Sequence, residues 1–193
     1  MNLIEKLTAQ HNVKVVFKKY EDTDAFVMGR VIFLNPDLYE PRLNWHFCHE
    51  LAHILLDHSA DNISRENEKE ADEYAAGLML PEEEFRPLVN SLTLEELKES
   101  FPYASWEVIA RRILRYNPAV LTIFDDKKLT YRGAPEGYTF PVKITKPELD
   151  LIRRCFALCT HLGDEFEGLM MRGYYIDEGR RVKRVILLTR VVD

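Results

Sequence analysis

Leu43-Asn-Trp-His-Phe-Cys-His-Glu-Leu-Ala-His-Ile-Leu-Leu-Asp57 is the stretch from which the rest of the chain is read. It contains His49-Glu50-Leu51-Ala52-His53, the pattern His-Glu-x-x-His. Residues four apart on an α-helix lie on one face about a turn apart. His49 and His53 can therefore turn two imidazoles toward a single ion, an arrangement that tetrahedral zinc sites use. Glu50 sits about 100° round the helix, placed to take a proton from a metal-activated water. Leu43, Trp45, Phe47, Leu51, Ile54, Leu55 and Leu56 cover most of the circumference, so the helix is expected to be buried.

The third ligand has to come from elsewhere. His58 lies nine residues after His49, half a turn off the ligand face, and reads as a helix-end residue. His46 does share the face but reads as a plain helix histidine. A second helix is expected from Arg65 to Leu80, capped by Ser64 or Asp61 and stopped by Pro81. On it Glu68, Ala71, Asp72 and Ala75 fall at i, i+3, i+4 and i+7, one face with two small residues that permit close approach. Glu68 is the leading carboxylate ligand, with Glu70 as the alternative. Asp72, one turn on, can accept the other ring N–H of a ligand histidine and hold its tautomer.

Composition bounds the remainder. The chain has 193 residues, 46% hydrophobic and 30% charged, which fits one ordinary globular domain or a domain with a small appendage. Residues 1–87 hold nine Lys and Arg against 17 Asp and Glu, a net −8, while residues 88–193 carry a net +2. That balance argues against a general nucleic-acid binder. Three cysteines offer no disulfide framework; Cys48 reads as packing, and Cys155 and Cys159 as buried thiols without a second pair to complete a metal site. With neither a leader-like apolar segment nor a run of about 18 apolar residues, the expected location is the cytoplasm, away from membranes.

The expected fold class is α+β. Leu3, Ile4 and Leu7 mark a short helix, Val13 to Tyr20 a half-exposed strand, and Phe26 to Leu34 a second strand containing Gly29. Such a sheet, delivering its last strand beside the metal helix, could pair with an extended peptide. Residues 88–116 read as a helical unit resembling a helix-turn-helix. Thr93 and Glu96 form a capping box there, Ser105 caps a helix from Trp106 to Leu114, and Arg111, Arg112 and Arg115 give that helix a basic side. DNA contact through it stays open. Residues 117–193 read as a mixed α/β tail. The expected elements are a hairpin across Asp125 to Lys128, a strand from Tyr138 to Ile144, a helix from Pro147 to Leu162, and strands from Leu169 to Ile176 and Val182 to Val192 about a turn at 177–180.

Two segments, Phe-Cys-His-Glu-Leu-Ala-His-Ile-Leu-Leu-Asp-His (47–58) and Glu-Lys-Glu-Ala-Asp-Glu-Tyr-Ala-Ala-Gly-Leu-Met-Leu-Pro (68–81), together resemble the ImmA/IrrE family of metallo-endopeptidases. The resemblance spans about residues 13–115. It implies a zincin-like peptidase core at 1–87 with His49, His53 and Glu68 on Zn2+ and Glu50 as general base. It further implies cleavage of a helix-turn-helix transcriptional repressor in a bacterial or phage setting. The units at 88–116 and 117–193 would suit members with a helix-turn-helix-like segment and a GAF-like sensor or partner-binding domain. Tyr74 stands where the family usually has Phe. Many members begin with a DNA-binding domain and this chain begins at the peptidase, so a partner repressor is expected as a separate protein.

Two rival functions remain at this point. The chain could be a catalytically inactive zincin-fold module that regulates by docking a repressor or DNA. It could also be an amidase or other zinc hydrolase acting on a non-peptide substrate. Tyr74 and His58 are weak candidates for stabilising the oxyanion of a hydrolytic reaction.

Overall fold

The computed structural model describes residues 2–58, 64–178 and 182–191. Among them the chain is mixed α+β, with two sheets and seven helices. It divides into two compact units, residues 1–109 and 110–193.

The first unit opens with α1 (Leu3–His11), which Asn2 and Glu5 cap reciprocally. Then come β1 (Lys14–Phe17), β2 (Ala25–Met28) and β3 (Val31–Leu34). The single strand expected across Phe26 to Leu34 is therefore a hairpin. Gly29, at φ +59°, takes the left-handed value that a two-residue turn asks of its first position. β3 lies in the middle, parallel to β1 and antiparallel to β2, so β2 is an edge. Ile32 and Leu34 point inward, fully buried.

The motif helix α2 (Glu40–Leu55) begins with Pro41 in its first turn, where a missing N–H costs nothing. It packs against β2 and β3 and against α3 (Arg65–Met79). Phe47, Cys48, Leu51 and Ala52 are fully buried on its inner side. Truncating Leu51 to Ala there would cost about 2–5 kcal/mol. Ala71 and Ala75 of α3 are also fully buried, as the small-residue face anticipated. Ser64 accepts from the Asn67 N–H at 3.1 Å and caps α3; Asp61, the other candidate, lies outside the described residues.

Downstream lie α4 (Glu82–Phe85), α5 (Leu94–Ser100) with the Thr93/Glu96 capping box, and α6 (Trp106–Ile113), whose Ser105 Oγ accepts from Val108 N–H. The boundary between the compact units falls within α6. Arg112 is buried, and the exposed Arg111 places its guanidinium 4.0 Å over the Tyr131 ring.

The second unit is a five-stranded antiparallel sheet of order β5-β4-β8-β7-β6. Its strands are β4 (Val120–Asp125), β5 (Lys128–Gly133), β6 (Leu162–Phe166), β7 (Leu169–Ile176) and β8 (Arg184–Val191). Helix α7 (Lys146–Leu158) packs on it through Leu151, Ile152 and Cys155, against Phe124, Met171, Val185 and Leu187. Gly173 permits that approach, since a Cβ there would lie 2.6 Å from Cys155 Sγ.

Two expectations fail in this unit. The helix stops at Leu158, because Cys159 turns left-handed at φ 51° and returns its N–H to the Cys155 carbonyl, and Leu162 begins a strand. Residues 138–144 form no strand; Pro141 cannot donate to a ladder, and its carbonyl instead accepts from Arg132. Residues 179 and 180 of the expected turn lie outside the described residues, as does Val192. No helix is long and apolar enough to cross a membrane among the described residues.

Candidate metal centre

His49 and His53 leave α2 on the side that faces α3, one turn apart. Their Nε2 atoms lie 3.1 Å from each other. Glu68, in the first turn of α3, reaches both: Oε2 is 3.3 Å from His49 Nε2 and Oε1 is 3.4 Å from His53 Nε2. Among the described residues, this is the cluster of three or more His, Cys, Asp or Glu side chains able to hold a metal ion. A tetrahedral zinc ion with bonds of about 2.0–2.1 Å sets its ligand atoms about 3.3–3.4 Å apart. Taken as one atom from each side chain, the three ligand atoms lie within 4.8 Å of one another, and the set, two imidazoles and one carboxylate, is one that zinc accepts. If both imidazoles turn a lone pair inward, they and the carboxylate repel one another unless a cation or a shared proton lies among them.

The far sides of both rings are occupied as well. Asp72 Oδ1 lies 2.9 Å from His49 Nδ1. His53 Nδ1 lies 3.0 Å from the Nδ1 of His58, whose Nε2 is 3.4 Å from Glu70 Oε2. The alternatives on α3 are thus separated by geometry: Glu68 meets the two Nε2 atoms, and Glu70 turns to His58. Continuous helical spacing from His49 would put His58 half a turn off the ligand face, not here. The helix ends before it, at Leu55, and Asp57 adopts φ +56°, so His58 turns back and its N–H bonds to the His53 carbonyl at 3.0 Å. An Asp just past a helical run is a recognised site for that backbone turn and was the available signal.

The electrostatics of the two rings differ. Burial works against a charged His49, but the hydrogen bond to Asp72 and the charges of Glu50, Asp72 and Glu68 outweigh it and raise its pKa. For His53, burial and the neighbouring His49 lower the pKa, with Glu68 opposing. Burial pushes the Glu50 carboxyl up to about 7, with His49 opposing and Glu68 adding to the rise. A carboxyl poised near neutral pH can both take and return a proton. Cys48, next to His49, is fully buried, and its thiol is held above the ordinary range by burial.

The three clustered side chains and Glu50 face a cleft of about 620 Å³. Glu50, His49, His53 and Glu68 line one side, with Ala25, Phe26 and Val27 of β2 on its wall. Tyr74, 40% exposed on α3, is not among the lining residues, whereas His58 is. His46 sits apart, 3.8 Å from Asp24.

No curated protein matches the chain. The family model Peptidase_M78, described as the IrrE N-terminal-like domain, matches residues 3–114, which includes the whole cleft. The chain belongs to that peptidase family.

Proposed function

We propose that this chain is a zinc-dependent endopeptidase whose substrate is a separate helix-turn-helix repressor. One observation carries the reading: two Nε2 atoms and a carboxylate meet within 3.4 Å of one another, beside a second carboxyl in the same cleft. His49, His53 and Glu68 would hold the ion. When bound, zinc would supply Lewis acidity toward a peptide carbonyl and acidify a water at its open position.

The remaining steps belong to the chain. Glu50 takes the proton of the attacking water and hands it to the leaving amine nitrogen, a role its raised pKa suits. Strand β2, an edge of its sheet and a wall of the cleft, can pair its backbone with an extended substrate segment and lay the scissile bond across the site. This use of the sheet edge favours a peptide over a compact non-peptide amide. The repressor as substrate follows from the family resemblance.

The test is to incubate the zinc-supplemented chain with a small helix-turn-helix protein encoded beside it and look for fragments. Cleavage is expected with the parent chain and lost with chelator or with Glu50→Gln. A repressor that binds but stays whole under every condition would remove the hydrolytic reading in favour of docking.

A further inference from the structure

Zinc-binding histidines are held by whatever their second ring nitrogen touches. His49 has the common arrangement, a carboxylate, with Asp72 at 2.9 Å. His53 does not. Its Nδ1 faces another imidazole, that of His58, at 3.0 Å, and the two ring centroids are 5.1 Å apart. Both side chains are only 9% exposed, while Glu70, which closes the row, is 62% exposed.

We propose that His58 is a positioning residue that fixes the tautomer of His53, with Glu70 orienting His58 in turn. The proposal rests on reading His49, His53 and Glu68 as a metal site. The direction of the row follows from matching donors to acceptors. An ionised carboxylate only accepts, so His58 must present Nε2–H to Glu70 Oε2. A neutral His58 then has its lone pair on Nδ1, facing His53. His53 must donate from Nδ1, which leaves its Nε2 lone pair aimed at His49 and Glu68. The reverse order would set a His58 lone pair against the Glu70 carboxylate and place a proton on the nitrogen that should bind the ion. With neutral rings and a cation among the three ligands, this direction satisfies every contact.

The backbone supports the same role. Asp57 in the left-handed region reverses the chain at the end of α2, and the His58 N–H is anchored on the carbonyl of the residue whose ring it touches. Ring and backbone of His58 are both anchored on His53.

The direct test is nuclear magnetic resonance on the full chain with 15N-labelled histidines, zinc-loaded. His53 should carry its proton on Nδ1 and show a scalar coupling across that hydrogen bond to His58 Nδ1, with the His58 proton on Nε2. A His58 proton on Nδ1, or no coupling between the two rings, overturns the proposal. A second measurement is zinc affinity by chelator competition. His58→Leu should bind zinc about 10–100-fold more weakly, the usual effect of losing such a partner. His58→Asn, whose Oδ1 can accept the same bond, should recover most of the loss. Leucine matching the parent while asparagine is worse would mean that His58 merely packs. Should His58→Leu fail to fold, the resonance experiment on the parent decides alone. A parent chain that binds no zinc brings down the metal-site reading and this proposal together; zinc bound with the other His53 tautomer brings down only this one.

Discussion

Two carboxylates, one in each compact unit, face basic side chains and are used in opposite ways. Glu148, at the start of α7, is 1% exposed and surrounded by donors. Arg132 gives it two bonds at 3.1 Å, Thr189 Oγ1 one at 2.8 Å, and the Thr145 backbone N–H and hydroxyl one each at 2.9 Å. Burial alone would raise its pKa, yet the bonds from Thr145, Thr189 and Arg132 outweigh burial and lower it. Glu68 instead faces two imidazole nitrogens that can serve as acceptors, and its neighbour Glu50 is pushed up to about 7, chiefly by burial. A saturated carboxylate holds a fold together; carboxyls gathered with lone pairs and short of donors are arranged for a cation and for proton transfer.

The contrast can be broken at either end. The largest effect is expected from Glu50→Gln, which should lower the cleavage rate by about 10²–10⁴-fold, the usual worth of a general base. Zinc content should stay at the parental level, as read by elemental analysis. At the other site, Arg132→Met strands a buried charge, and chemical denaturation should report a loss of about 3–5 kcal/mol. An Arg132→Met chain as stable as the parent would show that Glu148 does not need its guanidinium.

The two carboxyls should also respond to pH with opposite signs. Glu50 has a folded pKa of about 7 against an ordinary 4.5, so the fold favours its protonated form. Its ionisation therefore destabilises the metal-free protein as pH rises from 4.5 toward 7, by about 1–3 kcal/mol after allowing for water in the cleft. Metal-free Glu50→Gln should melt higher than the parent at pH 8 and alike near pH 4. Glu148 runs the other way. Its folded pKa lies below 4.5, so its contribution is complete above 4.5 and is lost as pH falls through the lower folded value. Glu148→Gln should flatten the acid limb of the unfolding curve, the smallest of these effects.

The sequence revealed the helical half of the first unit most clearly, for a physical reason. Ligand spacing on one helix and the Glu68/Ala71/Ala75 face on the next are both periodic, and period 3.6 survives without any knowledge of neighbours. Which acid turns inward is also set by that period: Glu68 shares the face with the two alanines and Glu70 lies 200° away. What periodicity could not show was anything made by one residue leaving the helical or extended region. Gly29 splits an expected strand into β2 and β3, Asp57 sends His58 back onto His53, and Cys159 ends α7 four residues early. Residues 138–144 misled for a related reason: their apolar residues alternate, but Pro141 denies the ladder a donor and the segment is held by Arg132 instead.

The claim on which the rest depends is that α2 and α3 bring two imidazoles and one carboxylate to a single ion. Isothermal titration of the metal-free chain with zinc tests it most directly, run in parallel on the parent, Glu50→Gln and Glu68→Gln. One zinc per chain is predicted for the parent and for Glu50→Gln, with binding at least 10-fold weaker for Glu68→Gln. Equal affinity in all three, or no zinc uptake by the parent, would contradict it.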